Sequence, residues 1–104
     1  MDLAVKVMLE KAKNLIRNPD NWTTEKYARD ANGVSVNPKS PEACKFCVLG
    51  AIMNIQGVNC DDLDYVSRIL YKATGYLNIS SFNDSHTHKQ VLELLDKAIK
   101  INGD

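Results

Sequence analysis

Apolar residues recur every third or fourth position through Leu3, Val7, Met8, Ala12, Leu15 and Ile16, with polar and charged residues between them. That spacing lines one face of a helix and predicts an amphipathic helix over about Asp2 to Arg17. Asp2 can cap its start, and Lys13 and Arg17 suit the negative end of the helix dipole. Asn18-Pro19-Asp20-Asn21 then stops it, because the residue before a proline is pushed out of helical geometry.

From Trp22 to Val36 the pattern changes. Tyr27-Ala28-Arg29-Asp30 and Val34-Ser35-Val36 flank Ala31-Asn32-Gly33. Asn-Gly tolerates positive φ, so the segment predicts a short β-hairpin. Two strands alone are marginally stable, so the hairpin must pack on the helices, with Trp22 and Tyr27 as anchors. Next, Ser40 reads as an N-cap, Pro41 as the first helical residue and Glu42 as a first-turn acid. The run from Ala43 to Met53 is apolar nearly all round, the pattern of a helix buried on most sides. Gly57 reads as its left-handed stop.

Leu63, Val66, Ile69, Leu70 and Ala73 define a further helix over about Asp61 to Thr74, started by Asp61 and Asp62 and stopped by Gly75. Val91, Leu92, Leu95, Ala98 and Ile99 define another from about Thr87 to Ile101, and Thr87 with Gln90 has capping-box spacing. Between them, Tyr76 to His86 reads as a loop pinned by Ile79 and Phe82. The sum is a mainly α fold: a compact four-helix domain spanning residues 1–104, with a small β-hairpin between helices 1 and 2. The second helix is expected to be the most buried.

Composition adds limits. At 104 residues, with 44% apolar and 25% charged, the chain can bury a core without staples. Its 13 Lys and Arg balance 13 Asp and Glu, so no long-range field gathers nucleic acid, and no nucleic-acid partner is expected. Lys6, Lys13 and Arg17 on helix 1 read as a solvated face. The Met1-Asp2-Leu3-Ala4-Val5-Lys6 start lacks the basic and apolar regions of a signal peptide, and no apolar run reaches the ~18 residues that span a bilayer. No membrane association is expected. Cys44, Cys47 and Cys60 are odd in number, which suits reduced thiols in the cytoplasm.

Three chemistries could use those thiols. Cys44-Lys45-Phe46-Cys47, with Cys60 or with His86 and His88, could supply zinc ligands. The same C-x-x-C pair could be a redox centre, although neither a βαβ pattern nor a Gly-Pro spacer accompanies it. Cys47 could also be a nucleophile, with His86 as base oriented by Asp84. Each competes with cysteine as a small apolar core residue, the reading that a helical apolar run favours. No metal and no cofactor is expected. Gly50-Ala51 reads as a place where another backbone comes close. Asn83-Asp84 can cap the last helix or hold a ligand's polar groups. Phosphate-loop, dinucleotide, zinc-protease and nucleophile-elbow motifs are absent from the sequence.

Several pieces in order carry a resemblance: Trp22, Tyr27-Ala28-Arg29-Asp30-x-x-Gly33-x-x-Val36, Cys47-x-x-Gly50-Ala51, Ile79-x-x-Phe82-Asn83-Asp84 and Leu95-Asp96-x-Ala98-Ile99. The series resembles a domain-of-unknown-function family of short proteins encoded by bacteria and bacteriophages. Cys47, not Cys44, stands at the family-like cysteine position. The resemblance implies a compact helical protein of the bacterial or phage cytoplasm and brings no activity with it. The candidate binding residues are Arg29, Asp30, Asn83 and Asp84, with His86 beside them. The expectation is a small non-enzymatic protein that binds a host protein or small ligand. The alternatives are a thiol enzyme built on Cys47 with Asp84 and His86, and a zinc-stabilised module.

Overall fold

A computed structural model describes residues 5–103. Its helices are α1 (Val5–Ile16), α2 (Val48–Asn54), α3 (Cys60–Thr74), α4 (Ile79–Ser85) and α5 (His88–Gly103). A 3-10 turn covers Pro19–Asn21, and two short strands, β1 (Ala28–Arg29) and β2 (Lys45–Phe46), pair antiparallel. The architecture is mainly helical, as the sequence pattern predicts, with five helices among the described residues.

The long helices follow their apolar stripes. α1 buries Val5, Met8, Leu9, Ala12 and Ile16; α3 buries Val66, Ile69, Leu70 and Ala73. α5 packs against both and contributes Val91, Leu94, Leu95 and Ala98. Their ends are set by local chemistry. Asn59 and Asp62 form a capping box at the start of α3, and Gly75 ends it at φ 80°. Thr87 and Gln90 exchange hydrogen bonds at the start of α5, the capping box expected there. The Asp2 cap lies outside the described residues.

Three expectations need correction. First, the helix placed from Ser40 begins only at Val48. Ser40-Pro41-Glu42 forms a turn, and Lys45–Phe46 is a strand. The apolar run is buried because it contains a strand and a helix in succession, a case that periodicity over a short window does not resolve. Second, the hairpin is displaced. The turn at Asp30–Val34 forms, with Gly33 at φ 85°, but Val34–Val36 contributes only a bridge between Ser35 and Arg29. The ladder partner of β1 is β2, which makes a small ribbon with β1 in its middle. Third, the loop from Tyr76 to His86 contains α4, capped by Asn78. Ile79 and Phe82 anchor it as expected, as the inward face of a helix.

The glycine at position 50 has a clear cause. A Cβ there would lie 1.8 Å from the Tyr27 carbonyl oxygen, so only glycine lets α2 meet the chain entering β1. The Cys47 amide donates to that same carbonyl at 3.2 Å. α2 packs against both β2 and α1, and four of its seven residues are buried.

Candidate functional site

Asn83 on α4 is fully buried and is the one buried polar side chain among the described residues apart from cysteine. Its Oδ1 accepts from Trp22 Nε1 at 2.8 Å and from the Val48 amide at 3.1 Å. Its Nδ2 donates to the Thr23 carbonyl at 3.0 Å and to Asp84 Oδ1 at 3.1 Å. One side chain thus ties the Trp22–Thr23 segment, the first turn of α2 and α4 together. It satisfies the first amide of α2, Val48, whereas the sequence suggests amides ahead of α5. With every donor used, Asn83 is a fixed strut rather than a free recognition group.

Arg29 is similarly spent. Its guanidinium donates to Thr23 Oγ1 (2.9 Å), the Gly33 carbonyl (2.8 Å) and the Thr24 carbonyl (3.2 Å). Asp30 Oδ1 accepts from the Asn32 and Val34 amides, both at 2.9 Å, and shapes the turn. Both residues hold the loop around β1 in place.

Asp84 differs. It is exposed, and its Oδ1 accepts from the Glu25 amide at 2.8 Å. Glu25 sits at φ 70°, the single non-glycine residue with positive φ among the described residues. A left-handed glutamate costs of order 1 kcal/mol and persists where the surroundings over-determine it. Here one of those surroundings is the Asp84 carboxylate. Both carboxylate groups border an open cleft of about 660 Å³, together with Ser35, Asn37, Cys47 and Ser80.

Cys47 forms the N-cap of α2, its Sγ accepting from the Gly50 amide at 3.3 Å. It touches the cleft but is only 3% exposed. Burial pushes its thiol up from the ordinary 9.0, the Asp84 charge adds to the rise, and the Gly50 and Leu49 amides partly oppose it. The thiol is therefore neutral near pH 7, the wrong state for a nucleophile or a metal ligand. Cys44 is exposed and Cys47 buried, so the C-x-x-C sulfurs are not presented together. Extended backbone sends positions three apart to opposite faces. Among the described residues no group of three or more His, Cys, Asp and Glu side chains could hold a metal ion.

The histidines stand elsewhere. His86 Nδ1 is 2.8 Å from the Phe82 carbonyl and 3.0 Å from Ser85 Oγ. Its ring stacks on Phe82 at 3.8 Å and meets the edge of Tyr76. It borders a separate hollow of about 260 Å³ with Gln90, Glu93 and Lys97. His88 Nε2 contacts the Ile16 carbonyl at 2.7 Å, and its ring packs near Trp22. The structure therefore brings Asp84 and Cys47 to one cleft and leaves both imidazoles out of it.

Sequence reasoning missed Glu25, Ser80 and the Ser35–Pro38 wall of the cleft. Nothing in a glutamate's identity signals positive φ. Ser80 was hidden inside an unrecognised helix. No helix among the described residues is long and apolar enough to cross a membrane.

A family model described as a family of unknown function, DUF6197, matches residues 1–101, and the chain belongs to that family. No curated protein and no solved structure matches it.

Proposed function

We propose that this member of the DUF6197 family is a small non-enzymatic binding protein, and that the cleft between Glu25, Ser35, Ser80 and Asp84 is its small-ligand site. The observation that carries this reading is the exposed Asp84 carboxylate, braced from behind by buried Asn83 and by a glutamate amide in left-handed geometry. A strained residue and a fixed polar group at the wall of a cleft of this volume are what a preorganised ligand site needs. Of the five residues singled out in the sequence, Asp84 is the contact group. Arg29, Asp30 and Asn83 act as its scaffold, and His86 lies outside the cleft. A bacterial or phage-infected cytoplasm is the proposed setting, which suits three free cysteines. A host protein is the other partner class, and it would have to engage the same cleft rim.

A thiol enzyme at Cys47 has less support, because the sulfur is buried and neutral and neither described imidazole lines its cleft. Two measurements test the reading. A fragment-library titration followed by amide NMR should move the Glu25, Ser35, Ser80 and Asp84 signals together; hits confined to other surfaces would overturn it. Iodoacetamide at neutral pH should label exposed Cys44 and Cys60 and spare Cys47. Cys47 labelled fastest of the three would instead favour the enzyme.

A further inference from the structure

The polar cleft does not end at Tyr27. A second hollow of about 540 Å³ begins there and shares Tyr27, Asn37 and Pro38 with the first. Its far wall is apolar, built by Met53, Val58 and Leu63. We propose that the two hollows are halves of one site for a small organic cation, with a primary amine at Asp84 and an apolar body lying across Tyr27 towards Leu63. The inference rests on the cleft reading above and specifies its ligand class.

Charge selects the polar end. Glu25, Asp84 and Lys26 are the charged residues that line that half, two acids to one base, which leaves it net negative. The ion pairs among the described residues are Lys13–Asp96 and Arg68–Asp64, so no described lysine or arginine pairs with either cleft carboxylate. Both hydrogen bonds to Asp84 end on Oδ1. Among the described residues nothing donates to Oδ2 of this exposed, cleft-lining residue, which leaves that oxygen free to accept. A cationic donor makes the stronger, charge-assisted bond to such an oxygen. Cys47 adds no charge near neutral pH.

Shape and polarity select the other end. Lys39, the one charged residue bordering the second hollow, directs its Nζ to the Val58 carbonyl at 3.4 Å. Asn37 and Asn59 also border it, their Oδ1 atoms taken by the Lys39 and Asp62 amides. Pro38, Met53, Val58, Leu63 and the half-exposed Tyr27 ring make a wall that suits a hydrocarbon or an aromatic body. Each half has the volume of an ordinary small-molecule pocket, roughly 300–1,000 Å³. A ligand that fills one half leaves the other free for its opposite end.

The test titrates the full chain with 4-phenylbutylamine, 4-phenylbutan-1-ol and 4-phenylbutyrate, read by amide NMR. The amine should shift signals in both halves, Ser80 and Asp84 in one and Val58 and Leu63 in the other. It should bind about fivefold to tenfold tighter than the alcohol, the difference between a charged and a neutral hydrogen bond. Asp84→Asn keeps an oxygen for the Glu25 amide and should bring the amine down to the alcohol's affinity while leaving the alcohol unchanged. Glu25→Gln should do the same to a smaller degree, and serves if Asp84→Asn perturbs folding. Equal affinity for amine and alcohol, or tighter binding of the butyrate, overturns the cation assignment and leaves the cleft reading standing. Shifts confined to one half overturn the joined site. A lysine peptide that binds where the amine does not would make the occupant a partner protein and overturn the small-molecule assignment. No cleft shift with any probe or library fragment overturns both readings.

Discussion

The α1–α3–α5 bundle and the ribbon half, from Trp22 through α2 and including α4, are built on different principles. The bundle buries Met8, Leu9, Leu70, Val91 and Leu95 and, among the described residues, joins its surfaces with one ion pair, Lys13–Asp96, between α1 and α5. The ribbon half has two two-residue strands and relies on directed bonds from Asn83, Arg29 and Asp30. Apolar contact is non-directional and tolerates changes of shape when volume is kept. A buried amide is directional and tolerates almost none. The cleft lies in the directed half, where hydrogen bonds hold polar groups in place and aim them.

The largest expected effect is at the seam between the halves. Gly50→Ala places a methyl carbon against the Tyr27 carbonyl, backbone against backbone, and should cost about 3 kcal/mol or more in urea denaturation. A loss below about 1 kcal/mol would show that the two halves slide freely. Next, Asn83→Leu keeps most of the volume but strands the Trp22 indole N–H, the Val48 amide and the Thr23 carbonyl, and should cost about 2–3 kcal/mol. Its tryptophan fluorescence should change with it. Leu70→Met in the bundle is the matched control and should cost less than about 1.5 kcal/mol. Equal losses from those two would erase the distinction drawn between the halves.

The smallest effect is a pH dependence. Burial raises the Cys47 pKa above 9.0, so the folded state holds its proton longer than the unfolded chain. The stability this contributes is complete below pH 9.0 and falls as pH rises through the folded-state pKa, by less than about 1.4 kcal/mol per pH unit. Cys47→Ala should remove that part of the slope, seen by comparing denaturation of both proteins at neutral and alkaline pH. Identical slopes would mean that the thiol is hydrated in the folded state.

Much of the bundle was legible. The stripes of α1, α3 and α5, the Gly75 stop and the Thr87–Gln90 box are local signals, and each operates within a few residues of where it is written. Leu9 was overlooked, and Val7, placed on the stripe, is 36% exposed. A stripe fixes a face only to within one position. In the ribbon half, local signals misled. Ser40-Pro41-Glu42 has the chemistry of a helix start, yet the chain from Cys44 to Cys47 runs along β1 because the Arg29 and Tyr27 carbonyls are there to accept the Cys44 and Cys47 amides. Asn83-Asp84 looked like a single polar dipeptide. A helix turns successive residues by about 100°, so one faces the core and the other the solvent.

By itself the sequence determined a mainly helical fold, the inward faces of its long helices to within one position, and a place of close backbone approach at Gly50-Ala51, because each depends on spacing or on residue size. Tertiary structure alone decided that β1 takes β2 as its partner, that Cys47 is a buried cap, and that Asp84 shares a cleft with Glu25 and not with His86. Those outcomes depend on carbonyls, amides and carboxylates tens of residues apart in the chain, and only folding determines which of them meet.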